Sequence, residues 1–418
     1  MAPSPSQRRL SSWHAVMAGF LGWTLDAFDF FVVVFLFDTL AEQFQVPKAL
    51  IVRTTIYTLA MRPLGALLFG WLADRFGRRR PLMANVIFYS IIELLCGFAP
   101  NYTTFAILRA LYGIGMGGEW GVGASLAMEM APRRWRGVLS GVLQSGYAIG
   151  NLLAAVAARF VLPSFAPDVG WRVMFWIGGV PALLALYIRS KVPESEAWHE
   201  HRLHSSREIW RTVASNWKTF LYLLVMMALF NMLSHGTQDL YPDFLISAHG
   251  LSKSAASVIA IIYTIGMVVG AIIFGRLSDS IGRRRSILAA LLLSLAVIPW
   301  WAFGSTVMAL VFGSFLLQAG VQGAWGIVPA HLNELSPDAV RGLLPGLVYQ
   351  LGVLIASPTN GIEFALRDKL GYQWALGAFE ISVIVALAIV VMFGREQKGR
   401  AFTRMEAEDL WETSVRSP

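Results

Sequence analysis

The stretch Gly70-Trp-Leu-Ala-Asp74-Arg-Phe-Gly77-Arg78-Arg79-Arg80 returns 205 residues later as Gly275-Arg-Leu-Ser-Asp279-Ser-Ile-Gly282-Arg283-Arg284-Arg285. The same offset carries Gly115, Gly118, Trp120, Gly121, Glu129, Arg136, Gly137 and Gly141 onto Gly320, Gly323, Trp325, Gly326, Glu334, Arg341, Gly342 and Gly346. A single shift that aligns two loops and the segments after them marks an internal repeat of about half the chain. Parallel repeats of this kind place a binding site between two like halves.

The sequence around the two loops is apolar. The 418 residues are 56% hydrophobic and 14% charged, against about 45–50% and 25% in soluble domains. So few charges cannot cover a water-facing surface, and a lipid bilayer is the solvent that accepts the excess. Apolar runs lie at roughly 13–37, 50–73, 81–99, 103–128, 137–161, 171–190, 218–242, 254–278, 286–304, 306–331, 342–366 and 373–393. Each is about the length that spans a membrane as a helix. The reading is an all-α membrane protein with twelve transmembrane helices in two pseudo-symmetric six-helix bundles, residues 13–190 and 218–393. A segment 1–12 precedes them, a loop 191–217 joins them and a tail 394–418 follows. With both ends and the loop cytosolic, that side holds 25 of the 34 Lys and Arg residues, the asymmetry expected of a cytosolic face. The net charge of +8 is therefore a topology signal rather than a nucleic-acid footprint. The one cysteine, Cys96, allows no internal disulfide, and the first apolar segment is long enough to stay as an anchor rather than a cleaved leader.

Ionised side chains inside a bilayer cost at least about 2.5–3.5 kcal/mol each at the helix centre, so those present are functional candidates. They are Asp26, Asp29, Arg62, Glu93, Arg109, Glu119, His235, Asp239 and Glu380. Arg62, near the middle of the second span, suits an anionic substrate that it grips through two parallel hydrogen bonds. A permanent ion pair with Asp26, Asp29 or Asp239 is the alternative. In the seventh span Asn231, His235, Gln238 and Asp239 fall within about 100° of a helical wheel. That stripe reads as substrate contact and proton relay, or else as a polar seam between helices. Asp26 and Asp29, three apart in the first span, are candidates for proton coupling, with a structural Asp29–arginine pair as the competing role. Glu119 stands evenly between a second protonation site and a structural partner. Glu93, Arg109 and Glu380 read as structural, and Gln350 adds an amide to the cavity.

The doubled G-x-L-[AS]-D-x-x-G-R-R loop resembles the signature of the major facilitator superfamily. The stretch from Arg109 through Gly113, Gly115, Gly117 and Gly118 resembles that superfamily's fourth-helix motif. The likeness covers essentially the whole chain. Within it, Asn231-Met-Leu-Ser-His235-Gly-Thr-Gln238-Asp239-Leu-Tyr241-Pro242 resembles the seventh-helix signature of the sialate and lactate proton symporters. Asp26-Ala-Phe-Asp29 is similar to a pattern that those proteins share with aromatic-acid symporters.

The resemblance implies a secondary transporter rather than an enzyme, moving a small carboxylate together with a proton, with a transporter-like sensor or an intramembrane enzyme as the remote alternative. Lactate or pyruvate comes first, sialic acid second and aromatic acids third. It implies substrate contacts from Arg62, Asn231, His235, Gln238 and Gln350, and proton coupling through Asp26, Asp29, His235, Asp239 and Glu119. It also implies a conformational gate of Gly70, Asp74, Arg78, Glu129 and Arg136 with Gly275, Asp279, Arg283, Glu334 and Arg341, in which the aspartates meet helix N-termini of the other half. No cofactor or metal is expected, and a monomer in a bacterial inner membrane is. Val353 stands where lactate-type relatives would carry a second amide, which loosens the transfer of substrate.

Other motifs are declined. Gly113-x-Gly115-x-x-Gly118 matches a dinucleotide fingerprint but follows no strand. His199-Glu-His201-Arg-Leu-His204 lacks metalloprotease spacing. Asn101-Tyr-Thr103 is a glycosylation sequon in a loop too short to reach. Trp13, Trp71, Trp171 and Trp217 fit interfacial belts.

Overall fold

The computed structural model describes residues 5–203 and 205–408, and every regular element among them is helical. The first half comprises α1 (Pro5–Phe35), α2 (Lys48–Phe76), α3 (Arg79–Cys96), α4 (Tyr102–Met130), α5 (Arg136–Phe160) and a broken helix, α6a (Pro167–Ile177) and α6b (Ala182–Lys191). The second repeats the plan as α7 (Trp217–Gln238), α8 (Lys253–Ile281), α9 (Arg283–Phe303), α10 (Val307–Leu335), a broken α11a (Leu344–Ala356) and α11b (Thr359–Leu370), and α12 (Tyr372–Phe393). Among the described residues nine helical runs are long and apolar enough to cross a membrane by length and composition alone. The remaining three are α3, α4 with Arg109, Glu119 and Glu129, and the interrupted α11.

The repeat is visible in local chemistry. The turn after α2 needs a left-handed residue, and Gly77 supplies it at φ +100°; Gly282 does the same after α8 at φ +102°, a conformation that a Cβ makes costly. Asn101 caps α4 by accepting from the Thr104 N–H, and Thr306, its repeat equivalent, caps α10 through Ala309. The sequon asparagine is thus a helix cap. Gly65 packs on the Ile114 carbonyl between α2 and α4, and Gly270 packs on Ala319 between α8 and α10. Gly113 lies against the backbone of Thr58, Gly115 against Tyr89 and Gly118 against the Phe69 ring, so the glycines of the declined fingerprint serve close helix packing.

Three spans expected to be continuous are interrupted. The sixth breaks at 178–181, the seventh stops at Gln238 before a short helix Tyr241–Ser247, and the eleventh breaks between Ala356 and Thr359. Pro181, Pro242 and Pro358 sit at these breaks, each removing a backbone donor and clashing with the preceding turn. The segment expected to precede the first span is helical from Pro5. The polar connection 191–217 folds into Glu196–His201 and Ser206–Ser215, and Ile209 docks on Val340 and Leu343. The tail packs as well, with Phe402 buried. Residues 1–4, His204 of the declined histidine motif, and tail residues 409–418 lie outside the described residues.

Candidate functional site

At the middle of α2, the Arg62 guanidinium is buried to within 5% of full exclusion from solvent, yet its Nε and Nη2 have no hydrogen-bond partner. The expected alternative, a permanent ion pair, is not formed with any described carboxylate. Its close neighbour is instead the ring of Tyr349 from α11a, 5.5 Å from Cζ to centroid. Around that ring gather Trp120 at 4.6 Å, Trp325 at 5.6 Å and Trp23 at 6.3 Å. Trp23 stacks on Tyr147, which meets Phe31 edge-on. The two repeat-related tryptophans are fixed by their indole N–H groups, Trp120 donating to Gln144 Oε1 and Trp325 to the Phe230 carbonyl. An unpaired guanidinium thus lies beside an aromatic wall drawn from both halves, an arrangement with the donors and the apolar surface that a carboxylate on a flat or apolar body could use.

The α7 stripe divides into three parts. Gln238 donates to Ser234 Oγ at 3.0 Å and to Gln318 Oε1 at 3.3 Å, and Gln322 of α10 reaches the same serine. His235 and Asp239 bond each other at 3.0 Å with over a third of each side chain exposed, and Asn360 of α11b donates to the same Asp239 oxygen. Asn231 is buried and donates back to the Met227 carbonyl. Gln350 is buried with neither amide atom bonded.

Asp26 and Asp29 turn into the N-terminal bundle rather than toward the other half. Asp26 Oδ1 accepts from the Tyr112 hydroxyl at 3.0 Å, while both Asp29 oxygens are unpartnered and Oδ1 faces Gly178 at the α6 break. The Asp29–arginine pair is not formed, because Glu93 takes Arg109 at 2.7 Å instead. Glu119 is fully buried against Gly22 and Gly123 with no bonded partner.

The doubled loops meet across the halves at the face against which tail residues 399–406 pack. Asp74 accepts from the N–H groups of Gly342 and Leu343 at 2.8 and 3.0 Å, and Asp279 from Gly137 and Val138 at 2.7 and 3.0 Å. Each aspartate thereby meets a helix start of the opposite half, where partial positive charge favours a carboxylate. Arg78 joins Asp74 to Glu129, and Arg283 joins Asp279 to Glu334. Burial disfavours the charge of Arg78, but Glu129 and Asp74 outweigh it and hold the guanidinium above its ordinary pKa. Arg136 and Arg341 reach across to Glu334 and Glu129 at 3.5 Å and enclose Phe402 at 3.9 and 3.8 Å. Gly70 and Gly275 lie in these contacts, against Leu343 and Gly137.

Sequence reasoning missed Trp23, Trp120, Trp325, Tyr147 and Tyr349, along with Gln318, Gln322, Ser234, Asn360 and Phe402. Trp120 and Trp325 alone carried a signal, as equivalents in the repeat. No group of three or more potential metal ligands occurs among the described residues.

Two family models match the chain: a sugar (and other) transporter model over residues 14–218 and a major facilitator superfamily model over 238–417. A carboxylic acid transporter protein homolog of Saccharomyces cerevisiae is 31% identical over 88% of this chain, which spans 64% of that protein. A probable 4-methylmuconolactone transporter of Cupriavidus pinatubonensis is 30% identical, with 100% of this chain and 96% of that one aligned. The fold is similar to that of the proton:xylose symporter XylE, with a TM-score of 0.76 at 20% identity over 96% of this chain and 99% of that one.

Proposed function

This chain belongs to the major facilitator superfamily and is a multi-pass membrane transporter rather than an enzyme, and from that premise we propose that it moves a small organic acid together with a proton by alternating access. The observation that carries the reading is Arg62: a buried guanidinium at mid-depth, facing the join of the two halves, with Nε and Nη2 unbonded and no ion pair to a described carboxylate. Such a charge is retained at a cost that an anionic substrate offsets by supplying the missing oxygens. The relatives named for carboxylic acids and a muconolactone support that class. The face where the doubled loops meet is the cytosolic one, since it holds the arginine-rich loops. The state described is then closed inside, with His235 and Asp239 presented to the outside.

Coupling rests on separate groups. Substrate arriving at Arg62 changes the field at Asp26, one helix away in the N-terminal bundle, while the His235–Asp239 pair at the outer opening exchanges protons with solvent. Asp29 and Glu119, unpartnered beside Asp26 in the same bundle, take part as proton acceptors. A monocarboxylate such as lactate or pyruvate satisfies Arg62. The tryptophan and tyrosine wall favours a second reading, a flat unsaturated or aromatic acid whose body stacks there.

Reconstituted in proteoliposomes, the protein takes up labelled lactate or benzoate faster when the outside is acid. Replacing Arg62 by Ala removes hydrogen bonds to a charged ligand, about 1.5–3 kcal/mol each, so uptake falls by about tenfold or more; Lys restores part of it. Undiminished uptake by Arg62→Ala in folded protein rejects the assignment, and uptake indifferent to the gradient rejects proton coupling.

A further inference from the structure

The C-terminal bundle contains two glutamates that neither the gate nor the central site uses. Glu363 of α11b and Glu380 of α12 are buried, 1% and 0% exposed. Their carboxyls converge on one point of α7. A Cβ on Gly236 would collide with Glu380 Oε1 and touch Glu363 Oε1 at 3.1 Å. Only a glycine leaves room for both. None of the four carboxyl oxygens has a hydrogen-bond partner.

Among the described residues no cation answers this pair. Arg367, one turn beyond Glu363 on α11b, turns over the rings of Phe364 and Tyr372 at 4.7 and 5.4 Å. Arg283, Arg284 and Arg285 of α9 sit at the other end of that helix. Asp239 of α7 is acidic as well, and His235 on the same helix is taken up with it. The Tyr372 hydroxyl is spent on Asp243 at 2.8 Å. Glu380 lies eight residues into α12, about 12 Å along the helix at 1.5 Å per residue. Two adjacent anions at that depth, with no donor and no counter-ion, would cost far more than two neutral acids.

We propose that Glu363 and Glu380 form a proton-holding carboxyl pair in the C-terminal bundle, both protonated in the state described. It is a site distinct from Asp26 and Asp29 in the other half. Its way to solvent runs past Asn360 and Asp239: Asn360 is three residues from Glu363 on α11b and bonds Asp239 Oδ2 at 3.0 Å, and Asp239 is open to the outer space. The pair gives the transporter one loadable bundle on each side of the substrate. This goes beyond the symport reading and holds whatever the substrate is.

Infrared spectroscopy of the purified full-length protein near pH 7 reads the absorption of protonated carboxyls directly, with no transport required. Glu363→Gln and Glu380→Gln should each remove one carboxyl's share of that band, and Glu363→Gln/Glu380→Gln two shares. Glutamine preserves shape, and unchanged elution on gel filtration identifies folded protein. Should the double variant not fold, the wild-type band followed between neutral and strongly alkaline pH decides: persistence at neutral pH with loss on raising pH supports the pair, provided Asp26→Asn/Asp29→Asn/Glu119→Gln retains it. In deuterium oxide, Asp239→Asn should slow the downshift of the band severalfold. A wild-type band amplitude in folded Glu363→Gln and Glu380→Gln overturns the proposal, and an unaltered exchange rate in Asp239→Asn overturns the route. Failure of gradient-driven uptake would leave both results standing, so the two readings fail separately.

Discussion

Arg62 stood out in the sequence as a candidate because a guanidinium fourteen residues from either end of a 29-residue span is costly to keep there. Its surroundings did not. Trp23, Trp120 and Tyr349 lie in apolar runs where an aromatic residue looks the same whether it fills a core or faces a ligand. Only three dimensions bring Tyr349 over the guanidinium from the opposite half. Tyr349→Leu tests what that ring contributes. An aromatic contact adds about 0.5–1.5 kcal/mol beyond buried area, so the variant should lose about 3- to 10-fold in affinity for benzoate while binding of lactate stays within about twofold. Equilibrium binding to detergent-solubilised protein measures both, and equal losses would remove the stacking role. At this scale Asp26 and Asp29 were found as candidates but not aimed. Their three-residue spacing leaves direction open, and the bundle interior receives both.

Helix periodicity located the spans but not their interruptions. A proline within an apolar run is tolerated in one helix, as at Pro63, Pro299 and Pro329, and ends another, as at Pro242 and Pro358. Neighbouring groups that re-satisfy the freed carbonyls decide which, and those neighbours are invisible in one dimension. The eleventh span shows the consequence. Its break resets the helical phase, which is how Asn360 reaches Asp239 and Glu363 reaches Gly236. A continuous helix drawn from 342 to 366 hides both. Closeness between helices was better announced. Gly121 of α4 and Gly346 of α11a face each other across the halves, and a Cβ on Gly346 would stand 2.9 Å from the Gly121 Cα. Gly346→Val therefore wedges α4 from α11a and opens the closed face. The expected outcome is faster alkylation of a Ser125→Cys reporter, whose parent hydroxyl is buried against the Arg341 carbonyl. Unchanged reactivity would mean that the two helices part elsewhere.

The whole molecule is a two-part body held by two like clamps, one where Asp74 of α2 meets the start of α11a and one where Asp279 of α8 meets the start of α5. The doubled loop motif announced this much, since a repeated carboxylate at a repeated helix end implies a symmetric fastening. The further strap, Phe402 between Arg136 and Arg341, had no such signal, because the tail stands outside the repeat. If the halves rock as units, each clamp contributes separately to the closed state. Asn at either position keeps the shape but removes the charge that the helix N-terminus favours, a loss of about 0.3–2 kcal/mol. Each single variant should then raise Ser125→Cys labelling by about 2- to 30-fold through a larger open population. Asp74 and Asp279 share no hydrogen-bond partner and lie on different helix pairs, linked through the Phe402 strap; if that strap transmits nothing, their free energies add and the fold-changes multiply in Asp74→Asn/Asp279→Asn. A double variant no more reactive than the stronger single one would show that releasing one clamp already frees the face, and that the halves bend internally instead of turning as rigid bodies.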